Sequence, residues 1–312
     1  MSQRPPSPNP LPQRERAYGI GIDVGGTKIA AGLVNVMTGD VIDKRVLPTR
    51  PERGGQAVLD DVLSLAHDLL DTRHSAFDTC IGLGVCELVN ARGEVKSDFT
   101  IAWKGVPVRE RLSAIAPATV EADVRAHALA EARYGAGKHF ETFVFVSLGT
   151  GISSCLVQGG VPFAGTRGNA LVLATAPLTI VHDDGKRESQ VLEEFASGPA
   201  IARRFGVARA EDVFAAAQAG DARATRVLTT AGEAIGNSIA FLTNVLDPEA
   251  IVIGGGLGVA GGVLWDSLVA STRAHIWSDD TRTLPILQAA LGPDAGVVGA
   301  AAAAHIRTTA FA

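Results

Sequence analysis

The chain is poor in cysteine. Its three thiols, Cys80, Cys86 and Cys155, form no spaced pair of the metal-binding kind, and their odd number supplies no disulfide framework. Reduced, buried thiols are expected instead. No apolar run reaches the length of a membrane span without polar interruption, and the opening MSQRPPSPNPLPQRER lacks the apolar core of a signal peptide. Its Pro, Ser, Arg and Gln content predicts a disordered tail over residues 1–17. Excess positive charge is missing too, and a net charge of −5 speaks against a nucleic-acid footprint. Together these absences point to a cytoplasmic protein that works neither on nucleic acid nor in a membrane.

Two common nucleotide signatures are also missing. A phosphate loop of the Walker kind needs G-x-x-x-x-G-K-[ST] before a helix, whereas Gly25-Gly26-Thr27-Lys28 runs into the strand-like IAAGLV. No G-x-G-x-x-G opens a helix in either of the glycine-rich hairpins described next.

What the chain does have is one glycine-centred pattern written twice. Residues 19–34 read GIGIDVGGTKIAAGLV and residues 143–157 read FVFVSLGTGISSCLV, about 125 residues apart. Each is an apolar run, a Gly/Thr turn and a second apolar run, which predicts a β-hairpin. Successive backbone N–H groups in such a turn make a concave anion site, and the glycines let a ligand approach the bare chain. One such turn is equally an ordinary hairpin; two suggest related lobes that share a polyphosphate.

Around the hairpins the periodicities give a strand over 41–50, a helix over 54–73 and a strand over 80–90 that enters a turn. A strand over 93–98 and a short helix near 106–115 are expected next. An Ala-rich helix then covers 123–134 and closes at Gly135. After the second hairpin and a third strand comes a polar stretch, 182–190, and then helices from 191 to 245. AIVIGGGLG (250–258) is a strand into a glycine turn, and 285–305 is a strand, a loop and a last helix. The order predicts an α/β protein of two lobes, 18–122 and 123–294, with the final helix, about 295–308, returning to the first.

Phosphoryl transfer needs charge neutralisation, a metal ion and a base on the acceptor hydroxyl. Asp23 ends an apolar strand beside the first glycine turn and is placed to hold Mg²⁺ through its waters. Asp123 sits at a strand–helix junction, where it serves either as a base or as a plain helix cap. Gly254, Gly255 and Gly256 follow a strand, as an adenine platform or as a close strand–helix turn. His127 lies one helical turn beyond Asp123, and Trp103 either packs in the core or closes over a substrate.

Five ordered motifs, DVGGTK, E-x-D-x-x-A-x-x-x-x-E, LGTG, LE-x-x-x-SGPAI and IVIGGG, resemble those of the ROK sugar kinases over about residues 18–305. The resemblance implies the two-lobed actin-like ATPase (ribonuclease H-like) fold with a cleft between the lobes, a homodimer, and ATP with Mg²⁺. It implies that Asp123 takes the proton from a sugar 6-hydroxyl. Gly25, Gly26, Thr27, Lys28, Gly149, Thr150 and Gly151 would hold phosphates, and Gly254–Gly256 the adenosine. Gly84, Glu87, Asp98, Thr100, Glu121, Thr175 and Glu193 would surround the sugar.

The departures bear on substrate. Where the family carries Gly-Glu-Ile-Gly-His, Val172 and Thr175 take the Glu and His places. The family's cysteine-rich zinc motif before Leu192-Glu193 reads DGKRESQV here, which predicts no structural zinc. The family's Gly-x-Pro-Gly turn is Gly84-Val85-Cys86-Glu87. Glu87 then either points to solvent or meets an ammonium on the substrate, which would favour an amino-hexose such as kanosamine over glucose or an N-acetylhexosamine. Two other classes are less well matched: a sugar-responsive transcriptional regulator, because only about seventeen Pro-rich residues precede the first hairpin, and a catalytically silent relic, because Asp23, Asp123 and both turns are retained.

Overall fold

The computed structural model describes residues 18–71 and 79–310, and the tail expected over 1–17 lies outside them. The first lobe opens with the hairpin β1 (Tyr18–Val24) and β2 (Lys28–Asn35), followed by β3 (Asp40–Pro48), α1 (Gly55–Asp71) and β4 (Cys80–Val85). It continues with α2 (Val108–Ser113) and β5 (Ala118–Ala122); α3 (Asp123–Tyr134), which opens the part of the chain expected as the second lobe, packs on elements of both sheets. The first lobe's sheet has the order β3-β2-β1-β4-β5, antiparallel through the hairpin and parallel across β1, β4 and β5.

The second lobe repeats the scheme with β6 (Thr142–Leu148), β7 (Ile152–Gln158) and the two-residue β8 (Val161–Pro162). A small separate hairpin, β9 (Pro177–Val181) and β10 (Arg187–Val191), precedes the helices α4 (Leu192–Ala196), α5 (Gly198–Phe205), α6 (Ala210–Gln218) and α7 (Ala222–Leu246). Then come β11 (Ala250–Gly254), α8 (Gly255–Gly258), α9 (Gly262–His275), α10 (Asp279–Arg282), β12 (Ile286–Gln288) and α11 (Ala295–Ala310). Read from β8, the second sheet runs β8-β7-β6-β11-β12, the same order and directions as the first. Each lobe has its own core, around Ile22, Leu83 and Trp103 in one and Val146, Ile235 and Ile253 in the other. Among the described residues no helix is long and apolar enough to cross a membrane.

Glycine decides how the last helix seats. Gly32, Gly21 and Gly82 stand opposite one another on β2, β1 and β4, and α11 lies in the trough they leave. A Cβ on Gly21 would come 1.8 Å from the Val297 carbonyl oxygen, and one on Gly82 1.8 Å from that of Ala300. On its other side, Gly299 of α11 lies against α3, where an added Cβ would meet the Ala126 carbonyl oxygen at 1.8 Å. The far end of α3 is fixed by Glu131, whose fully buried carboxylate accepts from the N–H groups of Ala136, Ala290 and Leu291. A buried charge is tolerable there because backbone donors surround it.

The strand expected over 93–98 does not form. Asn90 Oδ1 accepts from the N–H groups of Arg92 and Glu94, each at 3.0 Å, and only the isolated bridge Val89–Val95 remains of a ladder. The polar stretch 182–190 supplies the turn and second strand of the β9–β10 hairpin, which Thr179 and Ser189 join by a 2.7 Å hydroxyl contact.

Candidate active site

Two groups of the expected residues are assembled at the carboxyl ends of the central strands, where open α/β sheets place their ligands. In the first lobe β1, β4 and β5 set Asp23, Gly84 and Glu121 in one row. Asp123 follows as the first residue of α3. The glycine keeps the row open: a Cβ on Gly84 would lie 3.7 Å from Asp23 Oδ1 and 3.8 Å from the Asp123 Cα. Gly296, in the first turn of α11, is packed on the Asp23 carboxyl so closely that an added Cβ would approach it to 2.4 Å. The positive end of a helix therefore faces this carboxylate.

The first glycine turn is held by a residue that motif reading missed. Thr49, fully buried, donates its hydroxyl to the Gly25 carbonyl (2.6 Å) and its N–H to that of Thr27 (3.1 Å), while Gly25 N–H closes on Lys28 O (3.0 Å). Thr27 and Lys28 are exposed, and the Lys28 side chain has no ion pair among the described residues. Thr100 covers the turn, its Cγ2 2.9 Å from where a Cβ on Gly26 would stand.

Asp123 has the chemistry of a base. Burial, opposed by His127 and reinforced by the negative charge of Asp23, pushes its carboxyl up to about 6. Its Oδ1 accepts from Val124 N–H at 2.6 Å, and Oδ2 has no bonded partner among the described residues. A carboxylate poised just below neutrality is matched to proton transfer at physiological pH. The ring of His127 stacks on Phe145 of β6, with centroids 6.3 Å apart.

Beside it, Cys86 is a neutral thiol, pushed up to about 12 by burial and by the charges of Asp123 and Glu87. Burial has the same effect on Cys155, also at about 12, and raises Cys80. Trp103 is core rather than lid, wholly buried with its indole N–H on Gly55 O at 2.7 Å.

Two expected sugar ligands need correction. Glu87 neither points to solvent nor offers a free carboxylate: it is 4% exposed. Its Oε2 accepts from the Ser97 hydroxyl and Phe99 N–H (3.0 Å), and its Oε1 from Thr100 N–H (2.6 Å) and Ile101 N–H (2.8 Å). Four donors saturate a carboxylate, so Glu87 shapes the loop that carries Asp98 and Thr100. Glu87→Ala leaves those donors unpaired and should cost about 2–4 kcal/mol, read as a lowered thermal midpoint. Glu121 is likewise committed. Its Oε1 receives Arg125 Nε and Nη2 and the Ala122 N–H, and Oε2 stands 3.6 Å from Arg307.

Arg125 is the second residue missed from sequence. It is buried, and beyond Glu121 it donates to Val89 O (2.6 Å) and to Gly168 O (2.9 Å), tying a loop of each lobe to the start of α3. Asp98 and Thr175 are exposed, Thr175 donating to Val172 O at 3.2 Å.

In the second lobe the turn after β6 closes by Gly149 N–H to Gly151 O (2.9 Å), and Gly198 N–H at the start of α5 reaches Gly149 O (2.8 Å). Gly255, at φ 77°, lets the 254–256 turn abut it: a Cβ there would be 2.3 Å from Leu148 O. Around Gly256 no atom lies within 4 Å of an added Cβ, so bare backbone is presented. Glu193, expected beside the sugar, lies at this turn, its Oε2 accepting from Ile152 N–H at 2.7 Å.

These residues fit a nucleotide and its metal. Asp23 has no bonded donor among the described residues and stands beside Asp123, an arrangement suited to Mg²⁺ that keeps several waters. No group of three or more His, Cys, Asp or Glu side chains is placed to ligate a metal ion directly among the described residues.

A sequence profile of the ROK family matches residues 19–307. A glucokinase of Halalkalibacterium halodurans is 30% identical over 312 aligned residues, covering 90% of this chain and 92% of its own. A kanosamine kinase of Amycolatopsis mediterranei is 28% identical, covering 93% of this chain and 96% of its own. The crystal structure of a ROK family glucokinase from Streptomyces griseus, in complex with glucose and AMPPNP, aligns with a TM-score of 0.79 at 26% identity, over 93% of this chain and 99% of that one. The twinned sheets are thus those of the actin-like ATPase fold. With the profile running through both lobes, from the first hairpin into the last helix, the chain belongs to the ROK family.

Proposed function

We propose that this protein is an ATP- and Mg²⁺-dependent kinase of a hexose 6-hydroxyl. The observation that carries the reading is Asp123, a half-buried carboxylate raised to about 6, set beside Asp23 across a bare Gly84. Asp123 accepts the hydroxyl proton as the oxygen bonds to the γ-phosphorus and the bridge to the β-phosphate breaks, releasing ADP. The turn at Gly25–Thr27, with Lys28, and the turn at Gly149–Gly151 offer N–H groups to the phosphates. Gly254–Gly256 offers backbone to the adenosine. Mg²⁺ beside Asp23 supplies charge neutralisation on the phosphates.

An amino-hexose such as kanosamine remains the narrower reading, but its support moves. Glu87 is saturated by its own loop, so a substrate ammonium has to pair with another carboxylate, and exposed Asp98 is the one that this loop carries. A spectrophotometric kinase panel of glucose, glucosamine, N-acetylmannosamine and kanosamine tests both readings. Turnover of at least one hexose is expected, and none at all would end the kinase reading. A kanosamine preference should fall about tenfold or more in Asp98→Asn, the worth of one charge-assisted hydrogen bond. A preference that Asp98→Asn leaves intact, or a clear preference for glucose, would end the amino-sugar reading.

A further inference from the structure

Away from the catalytic ends of the strands, at the amino end of β5, the first lobe carries a second concavity of about 720 Å³. Ala118 and Thr119 form one wall, and Arg92, Glu94, Arg109 and Arg307 surround it. β5 is the edge of its sheet, so nothing further along the ladder covers this side.

Three guanidinium groups against one carboxylate are conspicuous on a chain of net charge −5. The carboxylate is already spoken for, since Glu94 pairs with Lys96 and accepts from the Asn90 amide at 2.8 Å. The guanidinium groups are far from saturated. Each has five N–H donors. Arg92 makes no side-chain hydrogen bond or ion pair among the described residues. Among the described residues Arg307 has only the 3.6 Å contact with Glu121. Arg109 uses one donor on Arg92 O (2.8 Å) and one on Glu110 (3.3 Å). The Arg109 stem lies over Gly93, where an added Cβ would stand 3.4 Å from Cδ.

We propose that this groove is a second binding site, for a small phosphorylated molecule of about sugar-phosphate size. The volume lies within the range of small-molecule sites. Planar guanidinium forks match the oxygens of a phosphomonoester, and three of them match its double charge. Ala118 offers the body of such a ligand an apolar wall. Because Arg307 also faces Glu121, the partner of Arg125, a bound anion would act on the ion-pair chain that leads to the start of α3. The proposal stands apart from the kinase reading, since none of its residues belongs to the site around Asp123.

The experiment is a titration with glucose 6-phosphate, followed by NMR of ¹⁵N-labelled arginine guanidinium groups assigned with single Arg→Gln variants. The full chain is used, and sodium chloride at matched ionic strength is the control. Saturable shifts of Arg92, Arg109 and Arg307 are expected, and the Arg92→Gln/Arg109→Gln double variant should bind there about tenfold or more weakly. Basal phosphoryl transfer should be unchanged in that variant. Shifts confined to residues around Asp123, shifts that sodium chloride reproduces, or unaltered affinity in the double variant would each overturn the site.

Discussion

Asp123→Asn is expected to remove phosphoryl transfer by a factor of about 10²–10⁴, the usual weight of a positioned general base. The amide keeps the shape and the contact with Val124 but cannot take a proton. The same substitution should raise stability at pH 7, which separates loss of chemistry from loss of fold. The sign follows from the raised carboxyl. A group that titrates near 6 in the fold and near 3.9 unfolded stabilises the fold below about pH 4, and that contribution is lost as pH rises through about 6. At pH 7 the ionised carboxylate is a cost. Asparagine removes about 1–2 kcal/mol of it after allowance for the partial exposure, or a few degrees in the melting temperature. In the wild type, kcat/KM should fall with acid below about pH 6, as Asp123 takes up its proton. A variant with full activity would show that another group accepts the proton.

Gly82→Ala is expected to be as damaging as a buried charge change, though it adds one methyl group. The added carbon would stand 1.8 Å from the Ala300 carbonyl oxygen, backbone against backbone, where no side-chain rotation relieves it. Either α11 lifts from the sheet or the strand moves. Forced overpacking costs about 1–3 kcal/mol or more, a large part of a stability of about 5–15 kcal/mol. Activity should fall too, because the first turn of α11 is what packs on Asp23. Denaturant unfolding checks the first effect and the apparent KM for ATP the second; a variant as stable as the wild type would contradict the close seating of α11.

How much of this was legible in the sequence depended on which interactions were local. The hairpins, α1 and α3 follow from apolar spacing and a closing glycine, both short-range signals, and α3 runs over Asp123–Tyr134 as its pattern indicates. Asp23 stands out as a carboxylate at a strand end beside a glycine turn, whereas Asp123 reads equally as a helix cap and draws its expected role as a base from the resemblance to the ROK kinases. Glu87 was misread because its role depends on four donors ten to fourteen residues away, which no spacing rule encodes. Arg125 carries no local signal; its burial comes from Val89 and Gly168, brought there by tertiary folding. The β9–β10 hairpin was passed over because β10, RESQV, is polar and lies in a stretch that carries no apolar alternation, although Asp184-Gly185 at its turn is a hairpin signal in its own right.

The glycine trough also sets an order of events in synthesis. The first sheet is complete once residue 122 has been made, yet the helix that fills its trough begins at Ala295. At about 5–20 residues per second the ribosome needs roughly ten to forty seconds to cover that interval. The second lobe, whose strands and helices are contiguous, has everything required to fold once β12 ends at Gln288, while the first still holds an uncovered face. The lobe whose coding comes first is therefore the one that finishes last.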